Sequence, residues 1–180
     1  MALDITFTLQ DEDLAYFRDV MRKAQSGAGS LDESEILKSV KALSHEIKAD
    51  VPDFMASRLK QLDTLVAMVE DAEWQIPTEE RSDVISALAY FGEAEDLIPD
   101  HIPALGFLDD AIMIELVVGD LRDNIDAFTE FCEFREREKG RRDPSTITSE
   151  EWLIKKRKEL HSRLANRRTR RKKSSSFRIF

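Results

Sequence analysis

Apolar side chains recur at spacings of three and four residues along most of this chain, and such a pattern buries its apolar surface only when helices pack on one another. Leu14, Phe17, Val20 and Met21 form the first stripe, and Ile36, Leu37, Val40, Leu43 and Ile47 the second. Phe54, Leu59, Leu62, Leu65, Val66 and Val69 carry a third, and Val84, Ile85, Leu88, Ala89 and Phe91 a fourth. Ile114, Val117, Val118, Leu121, Ile125, Phe128 and Cys132 keep the period over the longest run, which predicts one helix from about Asp109 to Glu138. That run is apolar nearly all round in its first half, the mark of a central, buried element. The expected fold is all-α: a compact bundle of five helices followed by a basic C-terminal helix.

The boundaries between stripes carry their own chemistry. Asp11 or Gln10 opens the first helix, which ends near Lys23 before the loop SGAGS at 26–30. Asp32 and Glu35 stand three apart, the spacing of a capping box in which each side chain satisfies an orphan backbone N–H. Pro52 fits the first turn of the third helix, and Trp74 and Pro77 mark its exit. Thr78 is placed to cap the fourth, with Glu79 and Glu80 at the positive end of its dipole. Gly92 is placed to end it. Ahead of all these, Ile5, Phe7 and Leu9 alternate with polar residues and predict a short extended segment.

Charge divides the chain more sharply than any loop. Residues 1–138 hold 12 Lys+Arg against 32 Asp+Glu, a net of −20, whereas residues 139–180 hold 15 against 4, a net of +11. The overall −9 hides a local positive potential that meets something anionic. With 42% hydrophobic residues the chain has ample apolar material for a folded core. The N-terminus lacks the basic and apolar regions of a secretory signal, and no uncharged stretch approaches the ~20 residues of a membrane span. The single cysteine, Cys132, has no disulfide partner and reads as a small buried hydrophobe. These features fit a cytoplasmic protein.

The most specific stretch is residues 84–118, VISALAYFGEAEDLIPDHIPALGFLDDAIMIELVV. Its DLIPD, IP, G and DD elements resemble the core of the YkvA-like family, a bacterial helical domain of unknown function. Carried over residue by residue, the family's marked positions fall on Asp96, Pro99, Asp100, Pro103, Gly106, Asp109 and Asp110. Ala94 stands where the family usually has proline, between Glu93 and Glu95. The resemblance covers about a fifth of the chain and makes this stretch the motif core of a domain over residues 1–138; Pro144 and the change of charge sign set off a linker at 139–148 and a basic helix with a disordered tail over 149–180.

Read physically, the stretch is a corner between two helices. Pro99 and Pro103 fix φ and bias Ile98 and Ile102 toward extended geometry, and Gly106 supplies backbone freedom. Its aspartates have two readings. As structural groups, Asp96 and Asp100 cap short turns and Asp109 caps the long helix, each worth about 0.5–2 kcal/mol. As ligands, Asp96, Asp100, Asp109 and Asp110 surround one hard divalent cation such as Mg²⁺ or Ca²⁺, with His101 joining for a softer metal. No EF-hand spacing, zinc spacing, nucleophile elbow, phosphate-binding loop or Cys–His pair is present, so no catalytic residue emerges and the balance tilts away from an enzyme.

RRDPST at 141–146 reads as a linker, and Thr148 or Ser149 opens the basic helix. Trp152, Leu160 and Leu164 recur at multiples of four on one side, while Lys155, Lys156, Arg157, Lys158, Arg163, Arg167 and Arg168 fill most of the rest. Arg170, Arg171, Lys172 and Lys173 extend the charge into a segment, from Arg167 on, that reads as frayed. Three readings compete. The arm contacts phosphates of nucleic acid or a ribonucleoprotein; it lies on an anionic membrane surface with Trp152, Leu153, Leu160 and Leu164 at the headgroups; or it lies on the acidic body itself. The apolar stripes of the body are expected to close on one another without Trp152, Leu160 or Leu164. Oligomeric state has no signature in the sequence.

Overall fold

A computed structural model describes residues 8–27, 32–46, 53–92, 108–140 and 149–176. The described residues form seven α-helices and one 3-10 helix, with no strand: α1 Asp11–Gly27, α2 Glu33–Glu46, α3 Asp53–Glu70, α4 Thr78–Leu88, a 3-10 turn Ala89–Gly92, α5 Leu108–Asp120, α6 Arg122–Gly140 and α7 Ser149–Ser176. The fold is all-α. The extended segment at Ile5 and Phe7, the corner carrying Asp96, Pro99, Asp100, His101, Pro103 and Gly106, and the linker at 141–148 lie outside the described residues.

The starts of α1 and α2 follow the local chemistry of the sequence, and the start of α4 departs from it. The Gln10 N–H donates to Asp13 Oδ2 at 2.8 Å, which opens α1 with three acidic residues in its first turn. At α2 the Asp32 N–H donates to Glu35 Oε2 at 3.2 Å, half of the capping box, while Asp32 Oδ2 accepts the Ser34 hydroxyl at 2.6 Å. At α4 the cap is Pro77 rather than Thr78. The proline's fixed φ of −59° leaves its carbonyl to accept the Arg81 N–H at 2.8 Å, so Thr78 becomes the first helical residue and makes no side-chain cap.

The single long helix expected from 109 to 138 is two helices. The break falls at Leu121, whose carbonyl accepts both the Asn124 N–H at 2.9 Å and the Ile125 N–H at 3.0 Å and so starts a new helical ladder. Gly119 and Asp120, two poor helix formers in succession, precede the break. Six helices therefore precede the basic one among the described residues, and the longest is α7. The expectation that the run's first half is central holds: Met113, Ile114 and Val117 of α5 are fully buried, and α5 packs on α1, α3 and α6.

The turn after α3 builds the other focus of the core. Trp74, expected only to mark a helix exit, is completely buried. Its ring lies against Phe131 and Phe128, with centroids 5.1 and 5.7 Å away. Asp71 holds the turn by accepting the Trp74 N–H at 2.8 Å and the Glu73 N–H at 2.9 Å from one oxygen. Its other oxygen takes Arg135 Nη1 of α6 at 2.7 Å. Burial works to raise the Asp71 pKa, but the Trp74 N–H and the Arg135 guanidinium outweigh it and hold the carboxyl below its ordinary range. Gln75 leaves the turn at φ 49°, in the left-handed region where a Cβ is crowded. No helix among the described residues is long and apolar enough to cross a membrane.

Candidate functional site on the basic helix

The helix that carries the positive charge is seated on the body. α6 and α7 run antiparallel, shown by the pairing of Glu130 with Arg163 and of Asp123 with Arg167 and Arg171. Leu160 is completely buried and Leu164 nearly so, and both belong to the same core cluster as Trp74 and Phe131. The two leucines, expected to be dispensable for closing the stripes of the body, lie in its core. Trp152 does not share their side of the helix: it is 50% exposed, and Ile154 is 36% exposed. A helix turns 100° per residue, so Trp152 stands about 80° from Leu160, far enough to leave the seat. The helix continues to Ser176, past Arg167, where fraying was expected.

Arginines and lysines flanking the buried leucines meet carboxylates in register. Glu130 of α6 takes Lys156 Nζ at 2.7 Å on one oxygen and Arg163 on the other. The Lys156 and Arg163 hydrogen bonds lower the Glu130 pKa, and Glu130 in turn raises that of Lys156. About two turns toward the start of α6, Asp123 takes Arg167 Nη1 at 2.5 Å and Arg171 Nη2 at 2.9 Å. Arg168 turns toward α4, with Nη1 2.9 Å from Asp83 Oδ2 and 3.6 Å from the buried Glu80. Arg157 Nη1 donates to the Glu73 carbonyl at 2.9 Å, on the turn that holds Trp74.

Two polar cavities open along this seam. One of about 480 Å³ is lined by Thr78, Glu79, Glu80, His161, Ser162 and Arg168. The other, of about 270 Å³, lies among Asp83, Asp120, Asp123, Arg167, Arg168 and Arg171. His161 stands edge to face with Trp74, centroids 4.5 Å apart, and its Nε2 has no hydrogen-bond partner among the described residues. Burial, with help from Arg157, lowers its pKa and favours the neutral ring.

The cations predicted from sequence therefore fall into two groups. Lys156, Arg157, Arg163, Arg167, Arg168 and Arg171 engage the body. Lys155, Lys158 and Arg170 are exposed and pair with no described carboxylate, although Lys155 Nζ lies 5.6 Å from the centre of the Trp152 ring. The side chains of Lys172 and Lys173 lie outside the described residues. Sequence reasoning missed the carboxylates of the seat, Asp83, Asp123 and Glu130. The signal for two of them was the spacing of seven between Asp123 and Glu130, which places both on one face of α6.

Of the four aspartates considered as cation ligands, Asp109 and Asp110 lie in the first turn of α5, both buried, and Asp96 and Asp100 are outside the described residues. α5 starts at Leu108, so Asp109 is a first-turn residue rather than the cap. Among the described residues no three His, Cys, Asp or Glu side chains are grouped to hold a metal ion. Cys132 is half-buried against the core, and burial raises its thiol pKa.

Residues 84–116, from α4 through most of α5, match a family model described as a protein of unknown function, DUF1232. No curated protein and no solved structure matches the chain.

Proposed function

We propose that this chain is a non-enzymatic binding or regulatory protein, a YkvA-like helical body that presents the solvent face of α7 to the phosphate backbone of nucleic acid. The observation that supports this reading is the sorting of charge on one helix: one face is neutralised by the body, and the other keeps Lys155, Lys158 and Arg170 exposed. Lys155 and Arg170 are separated by about 22 Å of helix at 1.5 Å per residue, a span that covers several successive phosphates. Lys172 and Lys173 continue the run in sequence. Such contacts are sequence-independent and salt-sensitive, because each neutralised phosphate releases counterion.

Fluorescence anisotropy with a labelled RNA duplex, repeated across a salt series, tests the reading. Intact protein should bind with an affinity that falls steeply as salt rises. The triple variant Lys155→Glu, Lys158→Glu, Arg170→Glu should bind at least about tenfold more weakly and with a flatter salt slope. Equal binding by the variant, or none by either protein, removes the proposal. Exposed Trp152 and Ile154 beside Lys155 support a second reading, attachment to anionic lipid. Sedimentation with phosphatidylserine vesicles but no RNA binding, and loss of that sedimentation in Trp152→Ala, would replace the first reading by the second.

A further inference from the structure

The cations on the inner face of α7 are bound by groups that resemble a phosphate backbone. Asp123 and Glu130 stand seven residues apart on α6, about 10 Å along its axis, and each holds two cations of α7. Asp83 holds a further one, Arg168, from α4. Each carboxylate presents two anionic oxygens to guanidinium or ammonium groups, as a phosphate does. Three of the five cations are well exposed, with the Arg163, Arg167 and Arg171 side chains at 37%, 48% and 63%, while Lys156 and Arg168 are more covered at 18% and 27%. Ion pairs in such positions are weak and screened by salt, so a ligand with denser negative charge can take over the cation. The exchange does not require the helix to leave. Leu160 and Leu164 anchor α7 in the core, while the long arginine side chains turn about their own bonds.

We infer that Asp123, Glu130 and Asp83 mask the inner cations of α7, so that the acidic body and a nucleic-acid backbone compete for Lys156, Arg163, Arg167, Arg168 and Arg171. The inference rests on the nucleic-acid reading of this helix and adds its regulation: affinity is set as much by carboxylates that never touch the ligand as by the cations that do. Ionic strength acts twice, weakening the mask and the phosphate contacts together. Any change that lowers the charge of the seat unmasks the helix.

The decisive variants lie on the body. In the full-length chain, the pair Asp123→Asn, Glu130→Gln should bind the RNA duplex at least about threefold more tightly at about 50 mM salt, with a salt slope steeper by one or two phosphates, since Arg163, Arg167 and Arg171 lose their internal partners and Lys156 keeps only Glu159 of its own helix. Part of any gain comes from the lower net charge alone. The pair Asp126→Asn, Glu133→Gln measures that part: both residues are exposed on the same helix, change the charge equally, and pair with no described cation. Asp83→Asn alone, which takes from Arg168 its nearest carboxylate on α4 and leaves Glu79 and Glu80 at 3.7 and 3.6 Å, gives a second and independent reading, and the thermal midpoint of each variant reports whether it is folded. Tighter binding by the seat variants than by the control pair supports masking. Equal binding by seat and control variants, with the parent still binding, overturns masking and leaves the nucleic-acid reading intact. No binding by any of these proteins overturns both.

Discussion

Replacing Leu160 by alanine tests whether α7 is part of the core or an accessory laid upon it. The side chain is completely buried, so truncation removes three carbons from a packed site and leaves a cavity that the neighbours only partly fill. Changes of this kind cost about 2–5 kcal/mol, and about 3 kcal/mol is expected here. Against a net stability of about 5–15 kcal/mol that is a large fraction, and for a chain of this length it lowers Tm by about 6–12 °C. Urea denaturation followed by far-UV circular dichroism measures the loss directly. In a Trp152→Phe background the only remaining indole is Trp74, which is buried against the helix that carries Leu160, so its emission reports the seating of α7. Asn166→Ala, on the exposed side of the same helix, should change stability by less than about 0.5 kcal/mol. A Leu160→Ala midpoint indistinguishable from that control would refute the reasoning, and the body would then close on itself without α7.

Four further outcomes follow from local features. Gln75→Gly should stabilise the fold by about 0.5–1 kcal/mol in urea denaturation, since glycine accepts the φ of 49° without a Cβ penalty. Gly119→Ala should gain a similar amount by the same measurement, because a Cβ there meets nothing within 4 Å and the glycine has no positive φ. Asp71→Ala should cost about 2–4 kcal/mol, as it releases two backbone N–H groups and leaves Glu73 as the one carboxylate described at Arg135. His161 has its pKa lowered in the folded chain, so its contribution is present above its unfolded value of about 6.5 and is lost as pH falls from there toward the folded value. Tm should drop between pH 7 and pH 5 and the drop should shrink in His161→Gln; Asp71 and Glu130, with lowered carboxyl pKa values, act only in more acidic solution.

What could be read in the sequence was what short range decides. The stripes at Ile36, Leu37 and Val40 and at Leu59, Leu62 and Leu65 are the faces that the structure buries. The reach of Glu35 back to the Asp32 N–H was visible in their spacing. The division of the long run at Leu121 was harder, because its apolar period continues unbroken across the bend. Only the weak helix formers Gly119 and Asp120 mark it, and one or two such residues are often carried inside a helix. The cap at α4 failed for a related reason: Thr78 is a good capping residue by type, but the proline before it had already set the geometry that a cap needs.

The candidate site was half legible, and the missing half was a pairing between distant segments. Composition places the positive charge in residues 149–173 and predicts an anionic partner, without distinguishing a partner inside the molecule from one outside it. The distinction lies in phase. Leu160 and Leu164 set the inward side of α7, and Lys156, Arg163, Arg167 and Arg171 fall beside that side, whereas Lys155 and Lys158 fall opposite to it. An arm meant only for an external ligand gains nothing from alternating its cations in this way. An arm that also closes a core must place some of them over carboxylates or leave charge at the edge of apolar surface, where it is costly. Asp123 and Glu130, one heptad apart, supply those carboxylates, and the charge that this seat cannot reach, on Lys155 and Lys158, stays in solvent.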